Sequence, residues 1–205
     1  KPTAFRMLAI LWVLLVGGIA FFWQLGSTGL IDETEPLFAE AARQMTVTGD
    51  WITPYFNEET RFDKPPLIYW LMAIAYQILG VNEWSARLPS ALAGLGLTGL
   101  CFYALWWVGD RAREHEDEEA GNASPSKIQN PKSKISRSLT PFLGSAIVAL
   151  NPYMLFFGRT GYSDMLLNLC LGGALLSFFL GYAQPEQRSV QVRWYGAFYV
   201  FVALA

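Results

Sequence analysis

Carboxylates and cations crowd the stretch from Gly26 to Leu67, among them Asp32, Glu33, Glu35, Glu40, Arg61, Asp63 and Lys64. A carboxylate such as Asp32 or Glu33 can take the proton of an acceptor hydroxyl or amine as a new bond forms to it. A cation such as Lys64, set just before an apolar run, can hold a lipid phosphate while the apolar residues hold the tail. A third element, Gly158-Arg-Thr-Gly-Tyr-Ser-Asp164, brings Arg159 and Asp164 to the mouth of another apolar run. An ionisable residue at such a place is a functional candidate by default. Each group also has a plainer reading. Acids cap helix starts, interfacial lysines snorkel, and Arg159 can simply pair with Asp164.

The elements that must position these groups follow from hydropathy. The 205 residues are 53% hydrophobic and 15% aromatic, with a mean hydropathy of +0.26, too apolar for an ordinary soluble domain. The apolar residues come in blocks. Four of them, at about 7–24, 88–109, 140–157 and 165–183, approach or reach the roughly 20 residues a membrane-spanning helix needs. A fifth, 194–205, stops partway through a crossing. The chain also starts at Lys1 rather than Met, so it is expected to be the N-terminal part of a longer polytopic protein. The predicted fold is an all-α, multi-span membrane bundle with surface helices in a long first loop.

That loop, residues 25–87, is too long and too charged for an inert connector. Thr34 is expected to cap a helix whose apolar residues Phe38, Ala41, Ala42 and Met45 recur at helical spacing and which Gly49 ends, an amphipathic helix lying on the membrane. Pro65-Pro66 opens a second helix and Gly80 stops it. The apolar run from Pro66 to Leu79 gives about 21 Å of helix against a bilayer core of about 30 Å, so it reads as interfacial or re-entrant. With that helix not crossing, ten of the 15 Lys and Arg fall inside and five (Arg43, Arg61, Lys64, Arg87 and Arg159) outside, which obeys the positive-inside rule. Were it to cross, the division would be eleven to four, so length rather than charge decides. Residues 110–139, with the run EHEDEEAGN and few apolar side chains, are expected to form a disordered cytoplasmic linker. The single histidine, His115, falls in that linker, and Cys101 and Cys170 fall within predicted spans. Together they offer no histidine site, disulfide framework or metal spacing.

Taken in order, DE after the first span, FAEAARQM and TGDW behind it, then RFDKPPLIYW and RTGYSD, the chain resembles the membrane glycosyltransferases of the GT-C fold. The resemblance is to the family 39/83 group, which includes bacterial aminoarabinose transferases and dolichyl-phosphate-mannose-protein mannosyltransferases. It covers most of residues 7–109 and 140–183, and the order of motifs is more specific than any one of them. It implies an enzyme that moves a hexosyl or pentosyl unit from a polyprenyl-phosphate donor to a lipid, glycan or protein acceptor, with inversion, on the outer face of the plasma (inner) membrane. It implies no nucleic-acid partner.

The resemblance also assigns roles. Asp32 is the expected general base with Glu33 beside it, Lys64 holds the donor phosphate, and Asp164 completes the acidic side of the cavity. Arg61 and Arg159 are the candidates for a further phosphate cation. In some relatives the acid before that lysine, Asp63 here, ligates a divalent metal, although this stretch of chain shows no partner ligands for it; no other cofactor is implied. One departure matters: Glu35-Pro36-Leu37 precedes Phe38, two residues more than the family pattern, which makes Glu33 and Glu35 rivals to Asp32 as base. The competing reading is a transporter or flippase for a lipid-linked or anionic substrate. A transporter would more often place ionisable groups inside its spans, whereas here the charge gathers in loops.

Overall fold

The computed structural model of the chain describes residues 2–31, 33–57, 59–62, 64–122, 131–184 and 187–205; Asp32, Glu58 and Asp63 lie outside them. Most of the described residues are helical. Helix α1 (Pro2–Gly17) runs directly into a π-helical turn, Gly18–Phe22. The long loop that follows holds α2 (Thr34–Thr48), a hairpin of β1 (Tyr55–Phe56) and β2 (Glu59–Thr60), and α3 (Leu67–Leu79). The hairpin is antiparallel, with Tyr55 opposite Thr60. Then come α4 (Glu83–Asn122), α5 (Pro131–Ala149), α6 (Pro152–Gly158), α7 (Asp164–Tyr182) and α8 (Arg188–Leu204).

Among the described residues, three helical stretches are long and apolar enough to cross a membrane: Thr3–Phe22, Glu83–Glu114 and Asp164–Tyr182. A fourth crossing exists if Ser138–Ala149 and α6 are taken together. That pair corrects the expectation of one straight span over 140–157, because the two helices meet at 62°. The cause is local. Asn151 leaves the helical region and its side chain accepts from the Tyr153 N–H at 3.0 Å, while Pro152 starts the next helix without needing a backbone donor. Helix α8 likewise begins at Arg188 rather than near 194.

The expected disordered linker is also corrected at its two ends, since α4 continues to Asn122 and α5 starts at Pro131. Arg, Glu and Ala are good helix formers, and an apolar helix already nucleated upstream can be extended by them without any buried face. Residues 123–130 lie outside the described residues.

At its other end α4 starts before the apolar run, at Glu83, because Asn82 caps it: the Asn82 Oδ1 accepts from the Ser85 N–H at 2.9 Å. This extra turn places Arg87 inside the helix. α4 is the central helix, touching α1, α3, α5, α6 and α7.

The helix expected to lie on the membrane instead gives its apolar face to protein. Phe38, Ala41, Ala42 and Met45 of α2 are buried in one cluster with Ile68, Tyr69, Met72, Ala73 and Tyr76 of α3, with Ala86 of α4, and with Tyr162 from the α6–α7 turn. Phe38 stacks on Tyr69 with ring centroids 5.4 Å apart, a favourable offset for two aromatic quadrupoles. The helix starts at Thr34 with Glu33 in the cap position, one residue earlier than expected. Gly49 ends it in the left-handed region at φ 74°, where a side chain would be strained. Helix α3 buries one face on α2 and leaves Trp70, Ile74 and Ile78 exposed on the other.

Phe21, fully buried, is carried by the π-turn into a second cluster with Ala20, Leu25, Ala91 and Ala149. Most large side chains of α1, among them Leu11, Leu14 and Leu15, remain exposed, as suits helices whose solvent is lipid. The protein is an all-α integral membrane protein with several apolar helices.

Candidate active site

The loop leaving α1 is held by a group that no motif announced. Arg87 is 1% exposed and Glu35 is fully buried, and the two form a two-pronged pair: the Arg87 Nε donates to Glu35 Oε1 at 2.7 Å and Nη2 donates to Oε2 at 3.0 Å. The remaining guanidinium N–H groups donate to the carbonyls of Leu25 (2.8 Å), Thr28 (2.9 Å) and Gly29 (2.8 Å). Glu35 in turn accepts from the backbone N–H of Ile31 at 2.6 Å and of Gly161 at 2.7 Å. Four pieces of chain therefore meet at one buried ion pair: the 25–31 loop, α2, α4 and the α6–α7 turn. Gly161 keeps the approach close: a Cβ there would sit 3.3 Å from the Glu35 Cγ and 3.2 Å from the Met72 Cε, so those side chains would have to give by a few tenths of an ångström. The same turn is tied to α4 by the Ser90 hydroxyl, which donates to the Tyr162 carbonyl at 2.9 Å.

This geometry removes Glu35 from the contest for the general base. Both of its oxygens are engaged, and it is sealed from any acceptor. Glu33 is exposed at the start of α2 and is engaged with a partner. Asp32, between Ile31 and Glu33, lies outside the described residues, but the hub fixes the segments on both sides of it.

The structure brings together two residues that stand far apart in the sequence. Lys64 and Asp164 line one cavity of about 150 Å³, with Pro65, Ile68, Leu166 and Leu167 among its walls. Lys64 precedes α3, and Asp164 occupies the first turn of α7, where a carboxylate is favoured by the helix dipole. Both are exposed, and the walls beside them are apolar.

Arg159 does not join them. Its guanidinium donates to the Trp23 carbonyl at 2.8 Å and lines a separate hollow beside the end of α1. Arg61 stands at the foot of the hairpin, its backbone N–H donating to the Pro54 carbonyl at 2.8 Å, and the residue makes a further interaction. Among the described residues no three His, Cys, Asp or Glu side chains gather as a metal site. The expected ligand, Asp63, lies outside those residues.

Next to the hub, α2 carries its own charged group. Glu40 accepts from Arg43 Nε at 2.7 Å and Nη2 at 2.8 Å, and from Gln44 at 2.7 Å. The Arg43 hydrogen bonds hold the Glu40 carboxyl below its ordinary range. Tyr76, on α3, has its phenol pushed up to about 12 by burial first and by the nearby Glu40, Glu35 and Glu83 carboxylates second. It stays protonated at neutral pH and is no candidate base.

The sequence profile described as dolichyl-phosphate-mannose-protein mannosyltransferase matches residues 63–108, which include Lys64, α3 and Arg87. A Shewanella sediminis protein named undecaprenyl phosphate-alpha-4-amino-4-deoxy-L-arabinose arabinosyl transferase is 32% identical over 181 residues, or 88% of this chain and 28% of that protein. The crystal structure of ArnT from Cupriavidus metallidurans in the apo state superposes on 98% of the chain with a TM-score of 0.71 at 20% identity. The chain shares the fold of this ArnT structure. A second GT-C structure, ArnT from the same organism bound to undecaprenyl phosphate, superposes with a TM-score of 0.67 at 21% identity. The chain spans about a third or less of these GT-C proteins, 28% of the Shewanella protein and 32% of the first ArnT structure.

Proposed function

We propose that this chain forms the donor-phosphate part of a glycosyltransferase that moves a sugar from a polyprenyl-phosphate carrier to an acceptor on the outer face of the membrane. The observation that carries the reading is the convergence of Lys64 and Asp164 on one cavity at the end of two apolar helices. The likeness to arabinosyl transferases named for undecaprenyl phosphate supports the class of donor.

The chemistry is a single displacement. Asp32 takes the proton of the acceptor hydroxyl or amine as that atom attacks the anomeric carbon of the sugar. The bond from that carbon to the phosphate oxygen breaks on the opposite side, which inverts the configuration. Lys64 receives the charge that develops on the departing phosphate, an electrostatic role that strengthens as the bond breaks. Phosphate is a good leaving group at neutral pH, so no paired general acid is required. Asp164, at the same cavity, accepts hydrogen bonds from the hydroxyls of the transferred sugar. The apolar walls at Ile68, Leu166 and Leu167 meet the start of the prenyl chain.

Lys64→Ala is expected to weaken binding of the donor by about 1.5–3 kcal/mol, the range for a hydrogen bond to a charged group, with Lys64→Arg milder. Titration of undecaprenyl phosphate into the full-length protein in nanodiscs measures it. Unchanged affinity in Lys64→Ala means that the phosphate is held elsewhere.

The sidedness has its own test. A cysteine placed at Glu58 is expected to react with a membrane-impermeant maleimide in intact cells and one placed at Ser126 is not, as the charge distribution and the short α3 require. The reverse pattern turns the protein over and takes the cavity to the inner face.

A further inference from the structure

We propose that the hollow between the end of α1 and the α6–α7 turn binds the phosphate of an anionic glycerophospholipid on Arg159, as a second lipid site distinct from the donor cavity. The hollow measures about 350 Å³ and is lined by Gln24, Ser27, Thr28, Phe156, Arg159 and Thr160 among others, and none of its lining residues among the described ones is a carboxylate. Among the described residues it shares no lining residue with the Lys64 cavity.

Its charge is that of Arg159. Arg87 also reaches the wall, but its charge is matched by Glu35 and its N–H groups are committed to backbone carbonyls. The Arg159 guanidinium makes one hydrogen bond among the described residues, to the Trp23 carbonyl. That bond uses one of the five N–H donors an arginine carries and fixes the group at the lip of the hollow. A planar guanidinium with donors to spare fits phosphate oxygens in two-pronged fashion. Ser27, Thr28 and Thr160 line the same hollow.

Two further observations point to a lipid rather than a free anion. The hollow lies just where the apolar stretch Thr3–Phe22 ends, and large apolar side chains are exposed beside it: Trp23, whose carbonyl Arg159 holds, is 64% exposed, and Phe156, in the lining, 50%. An exposed tryptophan next to a cation at the end of a span is the pattern of a headgroup contact. Gln24 meanwhile adopts the left-handed conformation at φ 54°, unusual for a residue with a Cβ. Such strain collects at ligand clamps, and Gln24 lines this hollow. The inference does not depend on the donor assignment at Lys64.

The test uses the purified full-length protein, stripped of bound lipid and studied by native mass spectrometry. The probes are dioleoylphosphatidylglycerol and dioleoylphosphatidylcholine. The wild-type protein is expected to retain the glycerol lipid in preference, and R159Q to lower that preference about tenfold, the loss of one charged hydrogen-bonding pair. R159K, which keeps the charge but not the fork, is expected to fall between them. Equal retention of the two lipids by the wild type overturns the proposal, a result that needs no variant to fold. An unchanged preference in R159Q overturns it as well. Displacement of the glycerol lipid by millimolar inorganic phosphate would show a free-anion site, and displacement by undecaprenyl phosphate would return the hollow to the donor. Either result contradicts a second lipid site.

Discussion

Arg87→Met is expected to destabilise the protein by about 3–5 kcal/mol, because it strands an ionised Glu35 in a site with no access to water. Glu35 is fully buried, and its only cationic partner among the described residues is Arg87, at 2.7 Å. The loss extends beyond the pair. The carbonyls of Leu25, Thr28 and Gly29 lose their donor at the same time, and each buried carbonyl left unpaired costs about 1–3 kcal/mol unless the loop rearranges to reach water. The double change Glu35→Leu with Arg87→Met removes the stranded charge and is expected to recover part of the stability. It does not recover all of it, since the three carbonyls still lack a partner. Thermal and denaturant unfolding of the full-length protein in detergent measures the series. A melting temperature for Arg87→Met within a degree of wild type would contradict the hub. So would a double variant less stable than either single change.

The hub shows where sequence reading stopped and why. Arg87 was visible only as one of five cations on one side of the membrane, because it precedes an apolar run and carries no motif of its own. A usable signal was present: an arginine and a glutamate flanking apolar helices are rare unless they face inward and pair. What the sequence did not contain was the partner, since Glu35 and Arg87 lie 52 residues apart. Motif spacing gave Glu35 the look of a rival base, and only its burial excludes that.

Helix ends were more legible than helix environments. Gly49 and Gly80 stop α2 and α3 in left-handed or extended geometry that glycine tolerates, and both punctuation marks are read directly. The apolar face of α2 was also read correctly from the spacing of Phe38, Ala41, Ala42 and Met45. Its destination was not, because periodicity says that a face is buried without saying against what; here α3 takes the place assigned to lipid. The bend at Asn151-Pro152 was present in the letters, but a hydropathy average runs across a two-residue break without noticing it. In the site, Lys64 and Asp164 were each found by motif, and their meeting is a product of tertiary structure. Arg159, grouped with them by charge, is held apart by its bond to Trp23.

On the proposed mechanism, loss of the base Asp32 is expected to have the largest kinetic effect. Asp32 sits between two anchored points, the Ile31 N–H on Glu35 and the start of α2 at Thr34. Loss of a general base typically lowers the rate about 10²–10⁴-fold, and it acts in the transition state, so the rate constant of transfer should fall more than the affinity for donor. Asp32→Asn keeps the shape and removes the basicity. Glu33→Gln is expected to be milder. Glu35→Gln should act through stability, with the rate per folded molecule less affected than in Asp32→Asn.

Single-turnover transfer from a radiolabelled polyprenyl-phosphate sugar, in the full-length enzyme with folded protein quantified in the same samples, separates these cases. Transfer by the wild type, with a fall of about 10²–10⁴-fold in Asp32→Asn and donor affinity near wild type, is the predicted result. Near-normal turnover in Asp32→Asn and Glu33→Gln together, or no transfer of label from the polyprenyl phosphate by the wild type, would contradict it.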